Sequence, residues 1–181
     1  MGIKKYRMKT ILIITAVFPP EPIVSSQLSF DIADKMSEDY KVTVLHPRSS
    51  RPYGFSFDKK GNKVSQCEEI TIDSYVCPKS KLIGRFYESF SFGLHCKRYI
   101  EKYWNRFSCI YINSWPLFSQ ALIVKTAKKY KIPCVVHVQD IYPESFTNKI
   151  KSKFISCVIR SILLPIDQYV LNNAAHILAI S

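Results

Sequence analysis

Two absences narrow the classes of protein to which this sequence can belong. No stretch approaches the roughly twenty consecutive apolar residues of a membrane-spanning helix. The nearest candidate, "CVIRSILLPI" (157–166), is short and contains Arg160 and Pro165. No signal peptide is evident, because the basic start "MGIKKYRMK" leads into "TILIITAVFPP" without a small-residue cleavage site. The sequence therefore predicts a cytoplasmic chain that does not cross a membrane.

Paired cysteines are also lacking. The chain has six cysteines, and none stands in CxxC spacing, which disfavours a zinc site. Cys134 and His137 are the one cysteine–histidine pair at a metal-ligand interval, but strand alternation separates them and no second ligand pair follows. We predict reduced, mostly buried thiols and no metal site.

Acidic residues are few relative to basic ones. The chain has 14 Asp and Glu against 26 Lys and Arg, which gives a formal net charge of +12. Such an excess favours an anionic partner: nucleic acid, a phosphorylated small molecule or an acidic membrane surface. The length of 181 residues and the apolar content of 47% are typical of one globular domain with a full core.

Apolar runs of strand type alternate with helical patterns along the chain. This order predicts an α/β fold with a Rossmann-like open parallel sheet and helices on both faces. A long loop is expected at 48–68, and an interruption or kink near Pro165 in the last helix. The strands are predicted at 10–17, 41–47, 69–77, 108–114, 133–140 and 176–181, and the helices at 26–38, 82–106, from Pro116 onward and at 149–172.

Polar segments follow three of these strands directly. They read "FPPEPIVSS" (18–26), "NSWP" (113–116) and "QDIYPES" (139–145). Parallel strands end at one edge of the sheet, and open α/β sheets bind ligands there. We therefore expect Asp140 and Glu144 at a ligand site, although either carboxylate could instead cap a turn or a helix. For His137 and His46, a hydrogen-bonded core histidine is favoured over a catalytic one.

The segment 79–107 combines charge with aromatic residues. It has seven Lys and Arg, two Glu and eight aromatic residues. As an amphipathic helix it could lie on an anionic leaflet. Alternatively, its aromatic residues form the core and its charges face water. The membrane-contact hypothesis concerns Arg85, Lys97, Arg98 and Lys102.

Three stretches resemble one enzyme family. "ILIITAVFPPEPIVSSQLSFDIADKMSEDYKVTVLHP" (11–47) resembles the opening of family 4 GT-B glycosyltransferases, and more narrowly the fucosamine-transferase type of bacterial surface-polysaccharide enzymes. "VVHVQDIYPES" (135–145) is similar to their QD-aliphatic-aromatic-PES segment, which is the most specific match. "AAHILAIS" (174–181) resembles the strand that closes their N-terminal domain. The resemblance covers nearly the whole chain.

The resemblance implies an acceptor-side, N-terminal Rossmann-like domain over residues 1–181, with the C-terminal donor-binding domain absent. The whole enzyme would move a sugar, with retention, from a nucleotide-sugar donor to a lipid-linked acceptor in capsule, O-antigen or other surface-polysaccharide synthesis. It would act without a metal or other cofactor, peripherally on the inner face of the cytoplasmic membrane. Residues 1–181 alone would be inactive.

The resemblance also implies roles for individual residues. Asp140 would act near the chemistry. The donor-phosphate loop would use Ser25 and Ser26, although this loop has no glycine where many family members carry one. Trp115 could stack on a sugar or serve only in packing. The acceptor-binding residues would be Gln139, Glu144, Ser114, Trp115 and His137.

Two alternatives remain open. The charge permits a non-catalytic module that binds polyanions, either nucleic acid or acidic glycan. No nucleic-acid-binding motif is present, so we expect no nucleic-acid partner. A sugar-nucleotide epimerase of GT-B fold would share the architecture, but "QDIYPES" (139–145) disfavours it.

Overall fold

A computed structural model describes residues 8–50, 66–77, 82–113, 116–139 and 152–179 of the chain. The strands in these residues are β1 (Thr10–Ile14), β2 (Lys41–Pro47), β3 (Glu68–Ile72), β4 (Cys109–Asn113), β5 (Cys134–Val138) and β6 (His176–Ala179). They form one parallel sheet with the order β3-β2-β1-β4-β5-β6. This arrangement confirms the predicted open parallel sheet.

Helices cover both faces of this sheet. The described helices are α1 (Val24–Ser37), α2 (Leu82–Tyr103), which continues into a 3-10 turn (Trp104–Arg106), α3 (Leu117–Lys129) and α4 (Lys153–Asn173). On one face, Phe30 and Ala33 of α1 pack against the sheet. On the other, Ile100, Val124 and Leu163 bring α2, α3 and α4 into a second core cluster. The chain therefore has the predicted Rossmann-like α/β fold.

Burial on both faces explains the composition of the central strands. In β1, Leu12, Ile13 and Ile14 are successive and all fully or almost fully buried. Leu12 and Ile14 belong to the core cluster under α2, α3 and α4, whereas Ile13 belongs to the cluster under α1. A continuous apolar run, and not an alternating one, is what a doubly covered parallel strand requires.

Several strands are shorter than predicted, β1 and β3 among them. β3 was expected at 69–77 and ends at Ile72. It pairs with β2, whose last residue, Pro47, lies opposite Ile72, so the ladder has no partner beyond that point. β1 was expected at 10–17 and ends at Ile14, after which the Thr15 hydroxyl donates to the carbonyl of Val17 at 2.9 Å.

The expected interruption at Pro165 is wrong. α4 runs from Lys153 to Asn173 as one helix that includes Pro165. Pro165 lacks the N–H that would bond the carbonyl of Ser161. Both residues are exposed, so water can take the place of the missing donor. The helix has 21 residues and is long and apolar enough to cross a membrane by length and composition alone, which corrects the judgement that the sequence around 157–166 is too short.

The six thiols are all free, as predicted, but fewer are buried than expected. Cys96 and Cys134 are buried, three others are half-buried and Cys157 is exposed. Burial raises the pKa of both buried thiols, that of Cys134 to about 12, so they are protonated at neutral pH. Most of the predicted loop 48–68, and the last two residues of the predicted strand 176–181, lie outside the described residues.

Candidate functional site

The direction in which the sheet grows reverses between β1 and β4. Strands β2 and β3 add to one side of β1, whereas β4, β5 and β6 add to the other. The helix that follows β1 covers one face of the sheet, and the helix that follows β4 covers the opposite face. Open α/β sheets bind ligands beyond the carboxyl ends of their strands at such a switch point. The ends of β1 and β4 meet there.

A buried polar cluster joins the two strands at this point. Asn113, the last residue of β4, donates its side-chain amide to Thr15 Oγ1 at 3.0 Å and to Ser29 Oγ at 3.1 Å. The two hydroxyls donate in turn to the carbonyls of Val17 and Ser25, at 2.9 and 2.8 Å. The cluster therefore ties the end of β4 to the end of β1 and to the first turns of α1.

The two carbonyl oxygens of Asn113 have different environments. Its main-chain oxygen accepts a hydrogen bond from the side-chain amide of Gln120 on α3. Its side-chain Oδ1 is buried and has no hydrogen-bond partner within the described ranges. Such atoms are uncommon in folded proteins and usually mark a place where water, an ion or a ligand group supplies the partner.

The predicted phosphate-loop serines lie in the first turn of α1. The helix begins at Val24, and its N-cap residue, Ile23, provides no side-chain hydrogen bond to the first turn. That turn contains no acidic residue, so no negatively charged side chain there neutralises the positive end of the helix dipole. Ser25 is half-buried, and Ser26 is fully buried with no partner for its Oγ among the described residues.

A carboxylate stands just before this helix. Glu21, in the turn after β1, is buried and accepts a hydrogen bond from the main-chain N–H of Ser50 at 2.6 Å. This bond ties the turn after β1 to the segment after β2. The same turn contains a cis peptide bond between Pro19 and Pro20. The predicted phosphate loop is thus anchored to the segment that follows the neighbouring strand.

His137 is paired with a phenol. The hydroxyl of Tyr111, on β4, lies within hydrogen-bond distance of His137 Nδ1, on β5. Burial lowers the pKa of His137 and raises the pKa of Tyr111 to about 12. The imidazole is therefore neutral at pH 7, and its Nδ1 and the Tyr111 hydroxyl share one hydrogen bond. Gln139 follows β5 directly and is half-buried.

His46 is a structural residue. Its Nδ1 lies 2.8 Å from the carbonyl of Pro47 and its Nε2 lies 2.9 Å from Glu69 Oε1. The ring is buried and stacks on Phe18, with 5.2 Å between the ring centroids. The prediction of a hydrogen-bonded core histidine is confirmed for His46.

Four predicted site residues, Asp140, Glu144, Ser114 and Trp115, lie outside the described residues. Their flanking residues are described: Asn113 ends β4, and Gln139 follows the end of β5. The two strands are neighbours in the sheet, with Asn113 paired to His137.

The four basic residues proposed for membrane contact lie on α2 in different environments. Arg85 pairs with the buried carboxylate of Glu88 at 3.2 Å. Lys97 is half-buried, and Arg98 is exposed. Lys102 is exposed, with its ammonium 5.0 Å from the centre of the Tyr103 ring.

The described residues show no metal centre. They contain no group of three or more His, Cys, Asp or Glu side chains that could hold a metal ion. Cys134 packs in the core under α2, α3 and α4, whereas His137, three residues further along β5, bonds to Tyr111, which belongs to the cluster on the opposite face.

Comparisons with known proteins establish the fold. Neither a protein-family model nor a curated protein matches the sequence. Sucrose-phosphate synthase from Thermosynechococcus elongatus is similar in structure, with a TM-score of 0.59 and 13% identity, over 93% of this chain and 41% of that enzyme. UGT2 of Phytolacca americana, complexed with UDP-2fluoro-glucose and pterostilbene, gives a TM-score of 0.49 and 11% identity, over 85% of this chain and 37% of that one. The chain thus spans less than half the length of these proteins. At such low sequence identity, the structural similarity to the synthase shows a shared Rossmann-like fold of the GT-B kind.

Proposed function

We propose that this chain is the acceptor-side domain of a retaining glycosyltransferase. The whole protein would transfer a sugar from a nucleotide-sugar donor to a lipid-linked acceptor in bacterial surface-polysaccharide synthesis. A second, donor-binding domain would face the carboxyl edge of the sheet described above. In this proposal the chemistry needs no metal or other cofactor.

One observation carries the proposal. Buried hydroxyl and amide groups lie at the switch point of the sheet, and they belong to Asn113, Thr15 and Ser26. The fold of this sheet is shared with sucrose-phosphate synthase. Hydroxyls and amides both donate and accept, which suits sugar hydroxyls and phosphate oxygens. The Oδ1 of Asn113 and the Oγ of Ser26 have no partner among the described residues, so a bound group could complete their hydrogen bonding.

The donor phosphate would lie at the start of α1. Ser25 and Ser26 are in its first turn, where main-chain N–H groups and the helix dipole favour an anion. The negative charge of Glu21 disfavours an anion at this place, but its carboxylate accepts a hydrogen bond from the N–H of Ser50. We therefore expect a phosphate contact through helix N–H groups and serine hydroxyls, without the close approach that a glycine would permit.

The acceptor would lie beyond β4 and β5. Neutral His137 can form a hydrogen bond with a sugar hydroxyl through Nε2, and Gln139 stands at the end of the same strand. We assign Asp140 to a role near the reacting atoms from its place directly after Gln139. Glu144, Ser114 and Trp115 complete the acceptor-binding set by their positions in the sequence.

Membrane contact is part of the proposal, because a lipid-linked acceptor remains at a membrane. The basic residues of α2 that are exposed, Arg98 and Lys102, can meet anionic headgroups. Arg85, which is engaged by Glu88, would contribute less, and Lys97 is half-buried. The location of the protein would then be the inner face of the cytoplasmic membrane.

The decisive experiment is a transfer assay with the protein expressed from its whole gene. Labelled nucleotide-sugars and membranes from the source cells would be tested for sugar that enters the lipid fraction. Asp140→Ala should lower the rate by at least about tenfold, whereas Asp39→Ala, at an exposed site before the amino end of β2, should leave it unchanged. Wild-type transfer by Asp140→Ala would remove Asp140 from the mechanism.

Two further outcomes bear on the proposal. Sugar transfer by purified residues 1–181 alone would contradict the assignment of donor binding to another domain. Tight binding of DNA or RNA with a steep dependence on salt, and no sugar transfer, would instead support the polyanion-binding alternative.

A further inference from the structure

α4 has two apolar faces, one towards the core and one outward. One face packs into the core through Leu163 and Val170, each 1% exposed. The other carries Phe154, Val158 and Ile162 at spacings of four residues, and their exposed fractions are 79%, 44% and 56%. Residues four apart on a helix lie above one another, so these three form one continuous outward ridge, which Ile155 broadens.

A helix with apolar residues on two faces is removed from water on both faces in the functional state of the protein. The inner face of α4 belongs to the same core cluster as β4 and α3. The helix therefore lies along the domain, and crossing a bilayer would require it to leave this core. An in-plane position at a surface keeps the core contacts and covers the outward ridge.

The charges on α4 favour an anionic lipid surface as the cover. Lys153 and Arg160 are seven residues apart, which places both on the same side of the helix, away from the ridge, and both are exposed. The one acidic residue of α4, Asp167, stands towards its other end. The whole chain carries a net charge of +12. An apolar ridge on one side and basic residues on the polar side is the pattern of a helix that lies in the headgroup region of a membrane.

We infer that the outward ridge of α4 (Phe154, Ile155, Val158 and Ile162) is the principal membrane-docking surface of this domain. The inference deepens the membrane contact proposed above and rests on it for the choice of partner. It moves that contact from α2 to α4. On α2 the outward apolar residues, Ile83, Tyr87 and Phe90, lie in the first half of the helix, whereas Arg98 and Lys102 lie in the second half.

Vesicle sedimentation with the purified chain tests the inference without any sugar substrate. The vesicles are made of phosphatidylcholine alone or of phosphatidylcholine mixed with phosphatidylglycerol. The wild-type chain should bind the mixed vesicles. The double variant Val158→Glu with Ile162→Glu should bind at least about tenfold more weakly, because it replaces apolar area by charges that the anionic surface repels. Both positions are exposed, so the thermal midpoint by circular dichroism should stay near the wild-type value.

Two matched variants complete the test. Ile83→Glu changes a still more exposed apolar residue on α2 and should retain binding within about twofold. Lys153→Gln with Arg160→Gln should weaken binding to the mixed vesicles and not to phosphatidylcholine. Sugar transfer is not measured, so failure of the proposed enzyme function would leave these results unchanged.

Three outcomes would overturn the inference. The wild-type chain could fail to bind the mixed vesicles, or the α4 double variant could bind them as well as the wild type. Alternatively, Ile83→Glu alone could abolish binding, which would return the contact to α2. A wild-type dimer that binds no vesicles and that the α4 double variant dissociates would show that a second copy of the chain covers the ridge.

Discussion

Asn113 Nδ2, at the end of β4, donates to Thr15 Oγ1, just beyond the end of β1, over 3.0 Å. The two residues are 98 positions apart in the sequence. Their bond crosses the place where the sheet reverses its direction of growth. It thereby holds the ends of β4 and β1, which border the proposed ligand site, in a defined relative position.

Removal of this amide should destabilise the protein. Asn113→Ala deletes the donor to Thr15 and to Ser29 in a buried place, and we expect the free energy of unfolding to fall by about 1–3 kcal/mol. Urea unfolding followed by circular dichroism measures it. The control Asn172→Ala changes an exposed residue of α4 and should stay within about 0.5 kcal/mol of the wild type. Equal stabilities for the two variants would show that the cluster contributes nothing.

The buried His137 should make stability depend on pH near neutrality. Burial lowers its pKa in the folded state, whereas the unfolded chain has the ordinary value of about 6.5. As the pH falls, the unfolded state takes up the proton first, so stability is lost as the pH falls through about 6.5. The loss ends once the pH is below the folded-state pKa of His137.

Urea unfolding between about pH 7.5 and pH 5.5 measures this dependence. His137→Gln should flatten the stability profile over this range, while His176→Gln, at an exposed position of β6, should leave it unchanged. A profile that keeps its slope in His137→Gln would show that the histidine is not the group responsible.

The sequence predicted elements whose signals are local. The strand at 41–47 is found with the predicted bounds, because Val42, Val44 and Leu45 carry the pattern of a buried strand between polar residues. The predicted end of β3 was wrong, because β3 ends where its neighbour β2 ends, at Pro47. The sequence predicts where β2 ends, but it does not reveal the pairing register that places Pro47 of β2 opposite Ile72 of β3.

The candidate site was predicted in part for the same reason. Strand ends mark Asn113 and Gln139 as edge residues, and the parallel order predicts that they lie at one edge. The Thr15–Ser29–Asn113 cluster was missed. It depends on β1 and β4 being neighbours, and the alternation of apolar runs does not reveal strand order. A hydroxyl at the end of "TILIIT" (10–15) and an amide at the end of "CIYIN" (109–113) were the available signals.

Gly93 is required by the close approach of α2 to α3. A Cβ atom at this position would lie 2.6 Å from the Cα of Ser119, which belongs to the main chain and cannot rotate away. We expect Gly93→Ala to lower the free energy of unfolding by about 1–3 kcal/mol, even though alanine favours helix by roughly 1 kcal/mol.

Gly84→Ala is the matched variant. Its nearest contact would be Cys77 Sγ, which is the end of a side chain that can change rotamer. Gly84→Ala should therefore destabilise less than Gly93→Ala when urea unfolding of the two variants is compared. The reverse order of the two variants would show that the helices separate easily at Gly93.

The two faces of α4 should differ sharply when they are truncated. Leu163 is fully buried in the core, and Leu163→Ala should cost about 2–5 kcal/mol because it removes packed methyl groups and leaves a cavity. Its neighbour Ile162 is 56% exposed, so Ile162→Ala in the isolated chain should cost less than about 1 kcal/mol. Denaturant titration compares the two free energies. Similar large losses would mean that Ile162 packs inside the domain and that no outward ridge exists, whereas the expected contrast leaves the ridge available for a membrane.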